Sequence, residues 1–519
     1  MKASQRIARS TGVLAMATGL SRLLGFVRDI LLAGLFGTTA QAQAFVVAFR
    51  LPNLLRDLVA EGAVTSAFVP VLSWYRTKRE PEEFWRLSQT LGSQLLVLLC
   101  ALGLAGTLAA PLIVRVIAPG FLADPEKFAL TVRLTRILFP FITLVGLWAY
   151  FMGLLNSLNH FAVPGLGPAI LNLAMIVGCL WFAPRTTPGV IAVAISVMVG
   201  GAIQLAVQLP IALRLGFRWR WHWSHPGSRE TLRLLGPRMM GSAVYQMSVL
   251  VDTALASLGM IVGEGAVAAL YFANRLVQLP LALFGTATAQ ASLPTLSEQA
   301  AHEDREGFRR TLLSVLRMVG FVTIPASIGL IVLAFPIVGG LFQRGAFDAR
   351  ATVMTSQALM CYSLGLLAYS INKVVTGAFY ALKDTATPVR LAMEALGANI
   401  LLSLALMWPL KISGLALAAA LTNSLNAYRL LARLEDRVGG PLLAPIGEPF
   451  LRITAASVMM GAGCLLLWRV GLAHARVWQS LPLLIAVGLG LYGLACRMLR
   501  VQELSTVVRW LSRLPSVSE

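Results

Sequence analysis

Apolar runs of membrane-spanning length follow one another along almost the whole chain, and they dominate what it can fold into. About 20 consecutive apolar residues make a helix that crosses the hydrocarbon core of a bilayer. Of the 519 residues, 57% are hydrophobic and 13% are charged, against about 25% charged in soluble domains. We therefore predict an all-α integral membrane protein of about fourteen transmembrane helices, at residues 11–36, 40–72, 88–114, 129–156, 163–183, 189–213, 232–259, 265–296, 311–341, 352–380, 388–409, 412–432, 450–471 and 477–497.

Basic residues are concentrated at the termini and in every second connection between these runs, for example in 76–86, 214–238 and 429–437. Connections rich in Lys and Arg stay on the cytoplasmic side of a membrane, so both termini are predicted to be cytoplasmic. No clear cleavage site follows the first run, which we interpret as a mature helix. The net charge of +20 then reflects topology and attraction to anionic membrane lipids, and we expect no nucleic-acid partner.

Two pairs of segments repeat at nearly the same offset. AFVVAFRLPNLL (44–55) aligns with ALYFANRLVQLP (269–280), and GLLNSLNHFAVP (153–164) aligns with GAFYALKDTATP (377–388). An offset that spans about six helices predicts two lobes related by an axis along the membrane normal. We expect an N-terminal lobe at 1–225, a C-terminal lobe at 226–440, and two additional helices with a cytoplasmic tail at 441–519.

Charged residues interrupt the apolar runs at a few positions. A charge at the bilayer centre costs about 2.5 to 3.5 kcal/mol on insertion scales, so these residues are predicted to face a hydrated cavity between the lobes. Arginine is suited to gripping phosphate, and the excess of arginine over acid indicates an anion site. The alternative is a purely structural network of ion pairs, although Arg28–Asp29 and Arg56–Asp57 are too close in sequence to face one another well. The residues concerned are Arg22, Arg28, Asp29, Arg50, Arg56, Asp57, Glu61 and Arg275.

Three more ionisable residues lie within the predicted helices of the second half, namely Asp252, Lys373 and Glu394. Asp252 is isolated among apolar neighbours, and a buried acid can take up a proton or a cation. Together with Asn399 and Ser403, which are one helical turn apart, Asp252 could supply oxygen ligands to Na⁺. A satisfied, partly protonated acid is the alternative. No protein-bound cofactor is expected beyond this possible coupling to Na⁺ or H⁺.

The segment RWRWHW (218–223) is interpreted as an interfacial aromatic anchor beside a basic connection, with contact to lipid headgroups as the alternative. No P-loop, GxSxG or HExxH motif occurs in the sequence, and we therefore expect a transporter rather than an enzyme.

Several motifs resemble those of the MurJ (MviN) flippases of the MATE-like MOP transporter superfamily. They are SRLLGFVRD, AFRLPNLLRDLVAEGAVTSAFVPVL, APGF (118–121), FANRL and LKDTATPV. The resemblance implies two lobes around a cationic cavity, with a C-terminal groove for a lipid tail. It places the family's essential arginines at Arg22, Arg28, Arg56 and Arg275, its acids at Asp29 and Glu61, and possible Na⁺ ligands at Asp252 and Asn399. Gln43, Asn274 and Gln278 stand where some members carry acids, which removes negative charge.

The resemblance implies a flippase that moves lipid II, the undecaprenyl-pyrophosphate-linked peptidoglycan precursor, from the inner to the outer leaflet of the bacterial cytoplasmic membrane. We expect a monomer that works by alternating access among membrane lipids. A flippase for another polyprenyl-pyrophosphate glycan fits the arginines equally well. A MATE-like exporter of cationic drugs would favour an acidic cavity instead, and a scaffold would not explain the intramembrane charges.

Overall fold

The structure is a computed structural model, and it describes residues 3–56, 68–472 and 477–505. Within these ranges the chain is almost entirely helical and contains no strand, which confirms the predicted all-α class. Asp57 and Glu61 lie outside the described residues. The chain divides into two compact units.

Unit 1 comprises the residues up to Gly259 together with the short segment Arg344–Phe347. Its helices are α1 (Ala3–Phe36), α2 (Ala40–Arg56), α3 (Val69–Lys78), α4 (Pro81–Leu108), α5 (Ala110–Ile117), α6 (Pro125–Leu138), α7 (Phe141–Ser157), α8 (Ala162–Gly165), α9 (Gly167–Val177), α10 (Val190–Arg214) and α11 (Pro226–Ala256).

Helix α10 is held closely between α7 and α9 because its contact face carries glycine. A Cβ atom on Gly200 would lie 2.9 Å from the Cβ of Ala174, and one on Gly201 would lie 2.8 Å from the ring of Phe141. Small residues at these positions allow neighbouring backbones to approach, as is common between membrane helices. Tyr150 on α7 is fully buried, and its hydroxyl donates to the carbonyl oxygen of Ser88 on α4 at 2.6 Å.

Unit 2 comprises Met260–Gln343 and the chain from Asp348 onward. A π-helical turn, Leu281–Thr286, separates two of its helices and follows Pro280. The helices are α12 (Gly259–Val262), α13 (Ala266–Pro280), α14 (Ala287–Ala301), α15 (Arg305–Val332), α16 (Ala334–Phe342), α17 (Ala349–Leu364), α18 (Leu366–Ala381), α19 (Ala386–Leu410), α20 (Ile412–Val438), α21 (Leu443–Leu467) and α22 (Val477–Met498).

Two apolar clusters form the core of unit 2. The first joins α15, α18 and α20 through Leu312, Phe379 and Leu430, each at most 1% exposed. The second joins α21 and α22 to α15, where the Tyr492 hydroxyl donates to the carbonyl oxygen of Phe321 at 2.7 Å. The last two helices therefore pack as part of this unit.

Among the described residues, nine helices are long and apolar enough to cross a membrane, or ten if α17 and α18, bent by 44°, form one span. The predicted number of fourteen is not confirmed and stays a prediction.

The lobe boundaries stay a prediction. They come from internal repetition of the sequence, whereas the two compact units are defined by packing. By packing, the division follows Gly259 and leaves α11 in unit 1. By the repeat, α11 begins the predicted C-terminal lobe at residue 226.

The segment before α11 runs along α4 in an extended conformation. Side-chain amides of Gln89 and Gln94 donate to the carbonyl oxygens of Arg218 and Trp223, at 2.7 and 2.8 Å. Every second residue carries an aromatic ring, and these rings form a ladder. The centroids of successive rings are 5.8 to 5.9 Å apart, and the ladder consists of Phe217, Trp219, Trp221 and Trp223. Trp221 and Trp223 are more than half exposed, and their role as an interfacial anchor stays a prediction.

His225 caps the first turn of α11 and is buried. Its Nδ1 accepts the backbone N–H of Gly227 at 3.1 Å, and its Nε2 lies 3.7 Å from a carboxylate oxygen of Glu83. Burial lowers the pKa of His225, and the nearby Glu83 only partly opposes this effect. The folded protein therefore holds the neutral imidazole, which leaves Nδ1 free to accept the capping hydrogen bond.

We expect stability to fall as the pH falls below about 6.5, because the unfolded chain then binds a proton at His225 before the folded chain does. The measurement is the thermal midpoint of the detergent-solubilised protein at pH 7.5 and 5.5. In His225→Asn an amide oxygen can replace the cap without titrating, so the difference between the two midpoints should shrink. An unchanged difference would contradict the role assigned to His225.

Candidate functional site

The predicted site residues of α1 differ in burial. Arg22 is exposed, whereas Arg28 is 9% exposed and Asp29 is 3% exposed. Arg28 donates from Nε and Nη2 to Oδ1 of Asp29, at 3.1 and 2.8 Å. The expectation that these neighbours could not face one another was wrong, because the long arginine side chain folds back onto the adjacent carboxylate.

A second partner of Arg28 lies on α9. Nη1 of Arg28 donates to Oδ1 of Asn172 on α9 at 2.7 Å, and Asn172 in turn donates to the carbonyl oxygen of Ser21 at 3.0 Å. Gly25 gives room for this amide, because a Cβ atom there would lie 3.3 Å from Nδ2 of Asn172. The network ties α1 to α9. Sequence reasoning missed Asn172, although an amide inside the apolar run LNLAMIV is itself a signal.

Arg50 and Arg56 lie on α2, and both are half-buried. Pro52 stands between them inside the helix. Beside Arg50, the ring of Phe49 stacks on Phe45 with a centroid distance of 5.6 Å. Asp57 and Glu61, which are predicted to face the same hydrated cavity, lie outside the described residues.

In unit 2, Arg275 lies on α13 six residues before the π-helical segment and is half-buried. Its Nη2 is 3.3 Å from the hydroxyl of Tyr271, and its Cζ lies 4.9 Å from the centroid of the same ring. Tyr271 thus orients the guanidinium by a hydrogen bond and a cation–π contact. π-Helical turns inside helices are frequent at functional sites.

The candidate cation ligands are divided between the units. Asp252 is half-buried on α11 in unit 1, whereas Asn399 and Ser403 are buried on α19 in unit 2. The Ser403 hydroxyl is fully enclosed and has no hydrogen-bond partner within the described ranges. Over the same ranges, no three His, Cys, Asp or Glu side chains group as metal ligands. A Na⁺ site at these residues stays a prediction.

The other two ionisable residues of the second half lie on exposed faces. Glu394 is exposed and pairs with Arg429 and with Arg390, the latter at 3.8 Å. Lys373 is exposed on α18. For Glu394, pairing with two arginines indicates a structural role.

Sequence reasoning also passed over two arginines inside the predicted span 129–156. Arg133 and Arg136 lie on α6, are exposed, and line a groove beside α5. The signal was available, because the reasoning that singled out Arg28 and Arg50 applies equally to them.

This fold, with arginines placed inside apolar helices of both units, defines a multi-pass membrane transporter. The sequence profile of the family described as lipid II flippase MurJ matches residues 32–485. The chain therefore belongs to the MurJ family.

Individual relatives agree with this assignment. The chain is 34% identical over 503 residues to a probable lipid II flippase MurJ of Vibrio cholerae, covering 94% of each protein. It is 33% identical over 426 residues to the lipid II flippase MurJ of Burkholderia cenocepacia, covering 81% of this chain and 82% of that protein.

Solved structures show the same fold. A lipid II flippase MurJ in an inward closed conformation superposes with a TM-score of 0.78 at 27% identity, covering 94% of this chain and 99% of that one. An inward-facing multidrug resistance MATE transporter of the MOP superfamily gives a TM-score of 0.67 at 15% identity, covering 81% of this chain and 94% of that one. The second likeness concerns the fold alone.

We expect Asn172→Leu to destabilise the protein by about 2 kcal/mol, because it removes a hydrogen bond to a buried charge. Thermal or denaturant unfolding in detergent measures the loss. The matched control is Asn156→Leu, since the Asn156 side chain is half-buried in the same unit and makes no hydrogen bond within the described residues. Equal stability of the two variants would show that Asn172 does not hold Arg28.

Proposed function

We propose that this chain is a flippase that moves lipid II from the inner to the outer leaflet of the cytoplasmic membrane. The observation that carries the proposal is membership of the MurJ family over residues 32–485. It is supported by the arginines that lie inside the apolar helices of both units, Arg28, Arg50 and Arg56 in one and Arg275 in the other.

The arginines can replace the hydrogen bonds that a pyrophosphate-linked headgroup makes with water. A guanidinium presents fixed N–H donors that match phosphate oxygens two at a time. Arg275 is already oriented by Tyr271, so less conformational freedom is lost when it binds an anion. The guanidinium of Arg28 donates hydrogen bonds to Asp29 and Asn172. We therefore assign Arg28 to positioning α1 and assign headgroup contact to Arg22, Arg50, Arg56 and Arg275.

Transport is proposed to proceed by alternating access. A path open to both leaflets at once would leak ions, so the headgroup must be exposed to one side and then to the other. An inside-negative potential favours outward movement of an anion by about 2.3 kcal/mol per charge per 100 mV. We further propose that the protein works as a monomer in the bacterial inner membrane, with both termini in the cytoplasm.

We expect Arg275→Ala to lower translocation of labelled lipid II at least about tenfold, because a charge-assisted hydrogen bond to phosphate contributes about 1.5 to 3 kcal/mol. Arg275→Lys should retain part of the activity, since it keeps the charge but loses the planar fork. The assay uses proteoliposomes with equal amounts of folded protein. Arg309→Ala is the control, because Arg309 lies on α15 and pairs with the exposed Glu306. Wild-type flipping by Arg275→Ala would sink the proposed role.

We also propose that Asp252, Asn399 and Ser403 supply oxygen ligands for a coupling Na⁺, with proton coupling through Asp252 as the alternative. The enclosed, unpartnered hydroxyl of Ser403 supports a bound ligand there. The same assay with Na⁺ or with K⁺ of equal concentration tests this proposal. We expect Na⁺ to stimulate wild-type flipping and Ser403→Ala to lose most of that stimulation. Equal rates in the two salts would exclude Na⁺ coupling.

A further inference from the structure

Unit 1 carries a groove whose lining includes none of the arginines assigned to headgroup contact. It has a volume of about 750 Å³ and lies between α5 and α6. Its lining combines Ala129 and four larger apolar side chains, Pro111, Phe128, Val132 and Ile137, with the two arginines Arg133 and Arg136. An apolar groove with a cationic rim has the character of a site for an amphipathic anion.

The depth of the arginines follows from helix geometry. Helices α6 and α7 together form a 33-residue candidate span from Pro125 to Ser157, which is about 50 Å long at 1.5 Å per residue. The hydrocarbon core is about 30 Å thick, so a span of this length that is centred on the core extends about 10 Å beyond it at each end. Arg133 and Arg136 lie about 12 and 16 Å from the start, just inside the edge of the core.

Helix geometry favours guanidinium groups that lie back toward that edge. Side chains on a helix lean toward its N-terminus, and long basic side chains extend along apolar surface to reach polar groups. Arg133 and Arg136 are three residues apart and therefore share one face of α6. Two guanidinium groups side by side at the level of the lipid headgroups can hold one phosphate between them.

No acidic side chain competes for these arginines in the part of the chain that the structure describes. Neither Arg133 nor Arg136 forms an ion pair or a side-chain hydrogen bond there. The nearest acids in sequence are Asp124, which caps α6 by accepting the backbone N–H of Lys127, and Glu126 in the first turn. Two adjacent cations repel each other, and an anion that binds both removes this repulsion.

We propose that this groove binds an anionic glycerophospholipid of the surrounding bilayer. Its phosphate is held by Arg133 and Arg136, and an acyl chain lies along Pro111, Phe128, Val132 and Ile137. The apolar lining selects a lipid over a free phosphate ion, because a free ion would gain nothing from those four side chains. The bound lipid packs against α5 and α6 and stabilises unit 1.

Native mass spectrometry of the detergent-purified full chain tests the proposal, with phosphatidylglycerol, phosphatidylcholine and inorganic phosphate as probes. We expect preferential retention of phosphatidylglycerol and an increase of the thermal midpoint on its addition. The double variant Arg133→Gln/Arg136→Gln should weaken this retention at least about tenfold, since it removes two charge-assisted contacts. Arg115→Gln is the matched control, because Arg115 is an exposed arginine on α5 that does not line the groove.

A second variant separates loss of the site from loss of the fold. Ala129→Trp fills the groove from an exposed position and leaves both arginines in place, so it should also abolish preferential retention. Equal retention of the two phospholipids by the wild type, or undiminished retention by Ala129→Trp, would overturn the proposal. Displacement of phosphatidylglycerol by millimolar inorganic phosphate would identify a free-anion site and overturn the assignment to lipid. Lipid II flipping is measured in parallel. If Arg275→Ala loses flipping but still retains phosphatidylglycerol, the lipid site is separate from the proposed headgroup site.

Discussion

Removing a guanidinium from water is among the most expensive events in the folding of this chain, and the packing of unit 1 is arranged around it. Arg28 is almost fully enclosed, and its N–H groups are directed to a carboxylate on its own helix and an amide on α9. Breaking one side of such a contact leaves a buried charge without a partner, which costs far more than the intact pair contributes. The position of α1 against α9 is therefore tied to this side chain.

The intramembrane charges of the protein differ in burial and in their contacts. Arg28 and Asp29 are buried and bonded to each other, and Arg28 also donates to Asn172 on α9. Arg50, Arg56 and Arg275 are half-buried, and the guanidinium of Arg275 lies over the ring of Tyr271. Charges that look alike in the sequence are therefore placed in different environments by the fold.

The all-α membrane class could be predicted from sequence because apolar length is a local property of the chain. The pairing of residues 28 and 29 could not be predicted from sequence. Helical periodicity fixes where a Cβ atom points, but it does not fix where the end of a long side chain lies. Asn172 was missed because its partner lies 144 residues away, and only the packed fold brings the two together.

The π-helical turn between α13 and α14 changes how residues beyond Pro280 relate to Arg275. In an unbroken α-helix, Thr286 would share the angular position of Arg275, because eleven residues complete about three turns. A wider turn accommodates about one more residue, which rotates the downstream backbone by about 100° and passes that position to Ala287. A helical wheel drawn through the whole span therefore assigns the residues of α14 to the wrong side, and any labelling or crosslinking scan of this helix needs two separate wheels.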